Sequence, residues 1–241
     1  MQNEYLQFCP KLIEMLGYTE VTGRSGQVHK ITELSGLSTV NNLVTLRNLF
    51  IEIKPKRTLE IGFAYGGSGL LFTASYREAG YQPSHQHTAI DPFQTAIFDE
   101  VGLIVIEASG LRDYLDMRIA LSSLALPQLV AEAATFELIY IDGSHLFEDI
   151  FVDFYFATRL LTDGGIVLFD DCSDPHVQKI LRFIRSNFGF AYEPVDLAPY
   201  REDKGATMKY KLAKIAGRNQ LTAFRKKGPN ERAWNAPFTN F

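Results

Sequence analysis

Four short apolar runs, each with an acidic residue at or near its end, alternate with helix-like patterns through the middle of the chain. The runs cover residues 58–62, 87–91, 136–142 and 166–170, and the acids are Glu60, Asp91, Asp142 and Asp170. Between them, apolar residues recur every three or four positions, which is the spacing of one helix face. Strands that alternate with helices predict a Rossmann-like, doubly wound α/β fold. Because ligands in such sheets bind beyond the carboxyl ends of the strands, the four acids mark the expected functional edge.

Weaker patterns complete the expected sheet and its helices. Strand-like segments at 117–121, 190–195 and 220–227 bring the sheet to seven mostly parallel strands with helices on both faces, and the last two are expected to pair. Helices are predicted over residues 5–16, 40–53, 70–79, 98–115, 122–134, 146–161 and 175–188. We expect one domain in three parts: a helical N-terminal segment (1–54), a cofactor-binding core (55–227) and an extended tail (228–241). The N-terminal segment suits a lid over a ligand site, although core packing explains the same pattern.

A glycine-rich turn follows the first strand. Four glycines lie between residues 62 and 69, and a helical pattern begins directly after them. Strand, glycine turn and helix together are typical of a nucleotide-type binding unit, in which the helix N-terminus offers free N–H groups. The dinucleotide fingerprint fits poorly, because Ala64 stands where the backbone must approach a pyrophosphate and Asp91 lies too far downstream. A nicotinamide-dependent oxidoreductase is therefore disfavoured, but it stays open.

The turn instead resembles motif I of the class I S-adenosylmethionine-dependent methyltransferases, in the form Glu60-x-Gly62-x-x-x-Gly66-x-Ser68. The resemblance implies that Gly62 and Gly66 shape the turn under the methionine part and that Ser68 hydrogen-bonds the methionine carboxylate. It also implies that Asp91 takes the ribose hydroxyls. The full cofactor-binding set implied in this way is Glu60, Gly62, Phe63, Ala64, Gly66, Ser68, Asp91, Leu121 and Ser122 beside the adenine, and Asp142.

Two further segments carry the candidate chemistry. They are Tyr140-Ile-Asp142-Gly-Ser-His145, before a long helix, and Gly164-Gly-Ile-Val-Leu-Phe-Asp170-Asp171. Together they resemble the metal-dependent sugar O-methyltransferases of macrolide biosynthesis, over roughly residues 40–195. Catechol-type O-methyltransferases share the acid positions but usually have Asn in place of Asp171. The resemblance implies that Asp142, Asp170 and Asp171 hold Mg²⁺ and that His145 is the general base, with Asp142 also catalytic.

Physical chemistry makes the same arrangement plausible. Asp142 and Asp170 would end neighbouring strands about 5 Å apart, where carboxylates repel unless a cation or a partner lies between them. Mg²⁺ suits such oxygen ligands, and His145 at a helix start could take a proton. The alternative is that Asp170 and Asp171 only end a strand and cap a helix, and that His145 is only a capping residue. His85, His87 and His176 are expected at the surface, and Cys172 as an apolar filler.

Bulk properties limit the partners. The 241 residues carry a net charge of −4, which argues against a nucleic-acid binder. No apolar run approaches the roughly 18 residues of a membrane span, and two cysteines without a C-x-x-C pair fit a reducing cytoplasm. Residues 201–232 hold ten Lys or Arg against three acids, which indicates either a solvated surface or attraction of an acidic substrate or partner.

The leading hypothesis is an S-adenosylmethionine-dependent, Mg²⁺-assisted O-methyltransferase. Its substrate would be a hydroxylated small molecule such as a sugar or a natural-product scaffold. The other hypotheses are a nicotinamide-dependent oxidoreductase and a binding module of the same fold without turnover. Some relatives with this layout are labelled hydroxylases. The sequence does not decide the acceptor, and a homo-oligomer is left open.

Overall fold

Seven strands form one sheet in the computed structural model, which describes residues 19–34, 38–216, 219–229 and 232–241. The strands of this sheet are β3 (Thr58–Ile61), β4 (His87–Ile90), β5 (Leu115–Arg118), β6 (Phe136–Ile141), β7 (Leu161–Phe169), β8 (Tyr192–Val195) and β9 (Thr222–Lys226). Their order is β5-β4-β3-β6-β7-β9-β8. The first five are parallel, and β9 runs antiparallel to both β7 and β8. The predicted sheet and its closing strand pair are confirmed.

The strand order changes direction between β3 and β6. From β3 the chain moves outward through β4 to β5, and then returns to the other side of β3 to form β6 and β7. Such a switch point leaves a crevice at the carboxyl ends of the two central strands, because the connections on each side lead away from it. The predicted ligand edge therefore lies at this crevice.

The helices of the described residues bear out most of the predicted ones. They are α1 (Val40–Ile53), α2 (Gly67–Glu78), α3 (Val101–Ala108), α4 (Ser122–Ala131), α5 (Phe147–Leu160), α6 (Pro175–Asn187) and α7 (Met208–Ile215). At the start of α1 the Thr39 side chain accepts a hydrogen bond from the Asn42 backbone N–H, and the helix ends at Ile53, with Lys54 as its C-cap before Pro55. The helix predicted over residues 5–16 lies outside the described residues. No described helix has the length and apolar content that a membrane crossing needs.

Alternate strand residues pack into two separate cores, one on each face of the sheet. Leu138 and Tyr140 of β6 belong to the core under α1, α2 and α3. Their neighbours Ile139 and Ile141 belong to the core under α4, α5 and α6. This period-two alternation explains why β6 is an unbroken apolar run, since both of its faces are covered.

One predicted helix is shorter than expected, and two elements of the structure were not predicted. The helix expected over 98–115 is confined to α3, because Asp99 and Glu100 take left-handed φ angles of 50° and 55° and so stop a helix before it. A hairpin of β1 (Glu20–Thr22) and β2 (Val28–Lys30) and the helix α7 were not predicted. The hairpin is held to the segment before α3, where Asp99 accepts hydrogen bonds from Ser25 N at 2.7 Å and from His29 Nε2 at 3.0 Å.

Close packing of α3 on the glycine turn gives a stability prediction. A Cβ at Gly102 would lie 2.6 Å from the Tyr65 carbonyl oxygen and 2.8 Å from the Gly66 Cα. Alanine is normally preferred to glycine in a helix by up to about 1 kcal/mol. For Gly102→Ala we expect the opposite sign, a loss of about 1–3 kcal/mol in the free energy of unfolding in urea, because the added methyl overpacks the contact. Gly228→Ala is the control, since its Cβ would meet nothing within 4 Å. Unchanged or higher stability of Gly102→Ala would contradict this packing.

Candidate active site

A cleft of about 380 Å³ opens at the carboxyl ends of β3, β6 and β7, within the roughly 300–1,000 Å³ usual for small-molecule sites. It brings together the glycine turn and the acid segments that the sequence predicts. Its lining consists of Ser38, Thr39, Asn42, Gly62, Phe63, Ala64, Gly67, Ser68, Asp142, Gly143, His145, Asp170, Asp171 and Gln220. A larger groove of about 680 Å³ lies between the ends of α1 and α2 and contains none of the predicted site residues. The smaller cleft is therefore the candidate site.

The floor of the cleft depends on two glycines in left-handed conformation. Gly62 has a φ of 93°, and a Cβ there would lie 2.1 Å from the Asp142 backbone oxygen. Gly66 has a φ of 78° and lies directly before α2. Only glycine takes such angles without steric cost, and only glycine lets the ends of β3 and β6 approach this closely. Ala64, between them, is also left-handed with a φ of 46°.

Asp91 fixes the glycine turn by accepting hydrogen bonds from its backbone. Its Oδ2 accepts hydrogen bonds from Phe63 N at 3.1 Å and Ala64 N at 2.7 Å, and its Oδ1 accepts one from Phe93 N at 2.7 Å. The residue is 4% exposed and is not part of the cleft lining. The structure thus shows a role for Asp91 in fixing the turn, and its contact with ribose hydroxyls stays a prediction.

Glu60 is buried under the turn, where it does not line the cleft. Its carboxylate accepts a hydrogen bond from the Ser68 hydroxyl and lies 2.9 Å from His87 Nε2. The other nitrogen of that ring, Nδ1, lies 2.9 Å from Thr58 Oγ1. The prediction of a surface His87 was wrong: its side chain is fully buried, because it is the partner that this buried carboxylate needs. Ser68 lines the cleft, and Glu60 lies beneath it and accepts its hydroxyl hydrogen bond.

Leu121 and Ser122 lie apart from the cleft lining. Both follow β5, and Ser122 is the first residue of α4. Because β5 is two strands away from β3, the end of β5 that carries them lies about 10 Å along the sheet edge from the end of β3. Leu121 is 52% exposed, so its side chain is accessible at this edge. Their predicted place beside an adenine stays a prediction.

The ends of β6 and β7 concentrate negative charge around Tyr140. Its hydroxyl lies 3.0 Å from Asp142 Oδ2 and also contacts Asp170 Oδ2. One hydroxyl proton serves only one of these acceptors at a time. Burial raises the pKa of Asp142 well above its ordinary value, and the nearby Asp170 charge raises that pKa further. Burial likewise raises the pKa of Asp170. Both shifts describe a site that favours an added positive charge or proton.

His145 and Asp171 form a pair at the mouth of the cleft. His145 Nε2 lies 2.9 Å from Asp171 Oδ2, and the two side chains are 50% and 36% exposed. Together with Asp142 they present ligand atoms that all lie within 4.8 Å of one another. Two carboxylates and an imidazole at this spacing fit a divalent cation.

The predicted metal set of Asp142, Asp170 and Asp171 stays a prediction, and it differs by one residue from the cluster in the structure. The cluster that the structure brings together has His145 in place of Asp170. Asp170 is 6% exposed, and its oxygens already accept hydrogen bonds from protein donors. Its lone pairs are therefore less available to a metal than those of Asp142, which accepts a hydrogen bond only from the Tyr140 hydroxyl among the described donors.

Three residues of the site were missed from the sequence. Tyr140 carried a signal, because it lies two positions before Asp142 on a strand and so shares its face. Asn42 also carried one, as a polar residue at helical spacing with Leu46 and Leu49 on the core side of α1. Gln220 gave none, since it precedes β9 and reaches the site only through the pairing of β9 with β7.

Comparisons with known proteins agree with this geometry. Residues 59–172 match the model of a family described as a methyltransferase domain. No curated protein matches the chain. One similar solved structure is the O-methyltransferase TomG of Streptomyces achromogenes, involved in tomaymycin synthesis and in complex with SAM, with a TM-score of 0.59 and 20% identity over 82% of this chain and 85% of that one. Another is a putative O-methyltransferase from Klebsiella pneumoniae, with a TM-score of 0.57 and 17% identity over 94% of this chain and 90% of that one. A third is the Bacillus cereus O-methyltransferase in complex with SAH, with a TM-score of 0.56 and 17% identity over 90% of this chain and 91% of that one.

At these identities the solved structures support the fold, and the family match covers the segment with the glycine turn and the acid cluster. Residues 59–172 thus match a methyltransferase domain, and the chain has the fold of the similar O-methyltransferase structures.

Proposed function

We propose that this chain is an S-adenosylmethionine-dependent O-methyltransferase that acts on a hydroxyl of a small molecule, a sugar or a natural-product scaffold, with the assistance of a divalent metal. The observation that carries the proposal is the His145–Asp171 pair, which lies in the same cleft as the glycine turn. The similar solved structures support it: two are O-methyltransferases that hold SAM or SAH, one of these involved in tomaymycin synthesis, and the third is a putative O-methyltransferase.

The glycine turn and Asp142 would bind the methyl donor, which supplies an activated methyl group. Gly62, Gly67 and Ser68 line one wall of the cleft, at the N-terminus of α2, where backbone N–H groups suit a carboxylate. Asp142 faces this wall with a carboxylate that receives only the Tyr140 hydroxyl among the described donors, so it suits an ammonium group. Phe63 and Ala64 stay proposed cofactor-binding residues, with Asp91 at the ribose hydroxyls and Leu121 and Ser122 beside the adenine.

His145 would act as the general base. Its ring nitrogen Nε2 lies against Asp171, which orients the imidazole and stabilises it once it has taken a proton. The half-exposed position of His145 leaves room for an acceptor hydroxyl to approach the ring. Proton removal makes that oxygen a stronger nucleophile, and the cleft holds it in line with the donor, where positioning supplies much of the acceleration.

Asp142 and Asp171 are the carboxylates that would hold Mg²⁺, which prefers oxygen ligands and keeps several waters. When bound, the metal supplies a positive charge that lowers the pKa of an acceptor hydroxyl. In this arrangement the two carboxylates would be the protein ligands of the metal, and the His145 imidazole, the third member of the cluster, would serve as the base instead of binding the metal. Asp170 supports both acids from behind, through its contact with Tyr140 and its neighbour Asp171.

Cofactor identity is tested by ligand-induced stabilisation. At a concentration of about 100 times its Kd, S-adenosylhomocysteine should stabilise the protein by about 2.7 kcal/mol, or roughly 5–10 °C in melting temperature for a chain of this size. NAD at the same concentration should give no shift, because the turn lacks the dinucleotide glycine pattern. A shift with NAD and none with S-adenosylhomocysteine would exclude this proposal in favour of a nicotinamide-dependent oxidoreductase.

Replacement of the base is a second test. In His145→Ala we expect kcat to fall about 10²–10⁴-fold, the usual contribution of a positioned base, while the affinity for S-adenosylhomocysteine stays within about twofold. The assay is S-adenosylhomocysteine release with an acceptor found in a panel of sugars and phenols. His85→Asn is the control, since His85 is exposed and lies before β4, at the opposite end of the strands. Wild-type kcat in His145→Ala would remove this residue from the mechanism.

Metal assistance is tested separately. EDTA should abolish turnover and added Mg²⁺ should restore it, and Asp171→Asn should weaken Mn²⁺ binding measured by electron paramagnetic resonance by about 10–100-fold. Glu148→Gln is a matched control, an exposed acid of the first turn of α5 outside the cluster. Full activity in EDTA, with no Mn²⁺ bound by the wild type, would leave methyl transfer standing and exclude the metal.

A further inference from the structure

The Asp170 carboxylate accepts hydrogen bonds from four different residues. Asn42 Nδ2 lies 3.0 Å from Oδ1 and 2.9 Å from Oδ2, and Gln220 Nε2 donates to Oδ1 at 3.1 Å. The Tyr140 hydroxyl contacts Oδ2, and the backbone N–H of Asp171 donates to Oδ1 at 2.7 Å. A buried carboxylate with this many protein donors is suited to positioning its neighbours rather than to binding a ligand.

Its sequence neighbour Asp171 needs such support. Asp171 has a φ of 47°, a left-handed conformation that residues with a side chain seldom take. Gln220 secures the turn from the far side: its side-chain amide donates to Asp171 Oδ1, and its backbone oxygen accepts from Cys172 N at 2.9 Å. The bonds from Asp170 and Gln220 therefore keep Asp171 in the conformation in which its carboxylate meets His145.

Asn42 and Gln220 reach this turn from distant parts of the chain. Asn42 is 128 residues from Asp170, and Gln220 is 50 residues from it. Asn42 is 2% exposed on the core side of α1, where an apolar residue would serve packing alone. A buried amide is costly without a partner, and a neutral donor stabilises an ionised carboxylate without a charge of its own. Packing does not explain an amide at this position, whereas the contact with Asp170 does.

We infer that Asn42 and Gln220 form an amide clamp that positions His145. The two amides fix Asp170, Asp170 and Gln220 fix the left-handed Asp171, and Asp171 orients the imidazole. The inference rests on the proposed function, because it assigns the clamp to the base of that reaction. It also gives α1 a direct part in the site, while the lid role predicted for the N-terminal segment stays a prediction.

The test uses Asn42→Ala, Gln220→Ala and the double variant of the full chain. Asn48→Ala and Gln178→Ala are matched controls, since each removes a side-chain amide that donates to a backbone carbonyl away from the cleft. We expect kcat to fall about 10–100-fold in each clamp variant, with the KM for S-adenosylmethionine within about twofold. Because both residues act on the same acid, the double variant should lose less than the product of the two single effects.

A second readout needs no turnover. With ¹⁵N-labelled histidine, the ring signals of His145, assigned with His145→Gln, report its tautomer and the bond to Asp171 at a fixed pH. They should change in both clamp variants and stay unchanged in both controls, at a temperature where circular dichroism shows every variant folded. Absence of methyl transfer by the wild type would sink the proposed function, and the ring signals would still decide the clamp. Identical ring signals in the wild type and the clamp variants, or equal kcat losses in the controls, would overturn it.

Discussion

Mutual repulsion of carboxylates at the ends of β6 and β7 is the constraint on which this site depends. Asp142 and Asp170 lie around one tyrosine hydroxyl with Asp171 next in sequence, and burial makes uncompensated charge on Asp142 and Asp170 more costly. The charges of the three carboxylates are compensated unequally. Asp170 accepts hydrogen bonds from two side-chain amides, and Asp171 is paired with His145. Asp142 receives only the shared hydroxyl among the described donors. The acid with the least compensation is thus the one that faces the glycine turn, where a cationic ligand would be bound.

The acids at the functional edge are of two kinds: some make contacts inside the protein, and others face the cleft. Glu60 and Asp91 bind groups inside the protein: Glu60 contacts His87 and Ser68, and Asp91 accepts hydrogen bonds from the backbone of the glycine turn. Asp142 and Asp171 stay accessible to the cleft. The first kind gives the turn its shape, and the second kind gives the cleft its charge. A substitution of Asp91 should therefore act on ligand binding through the backbone of the turn as well as through any direct contact.

The sequence was sufficient for the sheet, for α1 and for the meeting of the glycine turn with the acid segments. Short apolar runs that end near an acid, and the stop at Pro55, are local signals, and the tertiary structure agrees with them. The hairpin of β1 and β2 was missed because strands of three residues carry too little pattern. The surface assignment of His87 failed because its partner Glu60 lies on the neighbouring strand. Asn42 and Gln220 depend on contacts between distant segments, which no local pattern contains.

The central claim is that the methyl donor and the acid cluster share one cleft. A crystal structure of the protein with S-adenosylhomocysteine and Mn²⁺, with the metal located by its anomalous signal, tests it most directly. We predict the homocysteine part against Gly62–Ser68 and Asp142, and the anomalous peak at Asp142 and Asp171, with Asp170 still bonded to Asn42. Binding of S-adenosylhomocysteine away from the glycine turn, or a peak that leaves Asp142 and Asp171 unbound, would contradict this account.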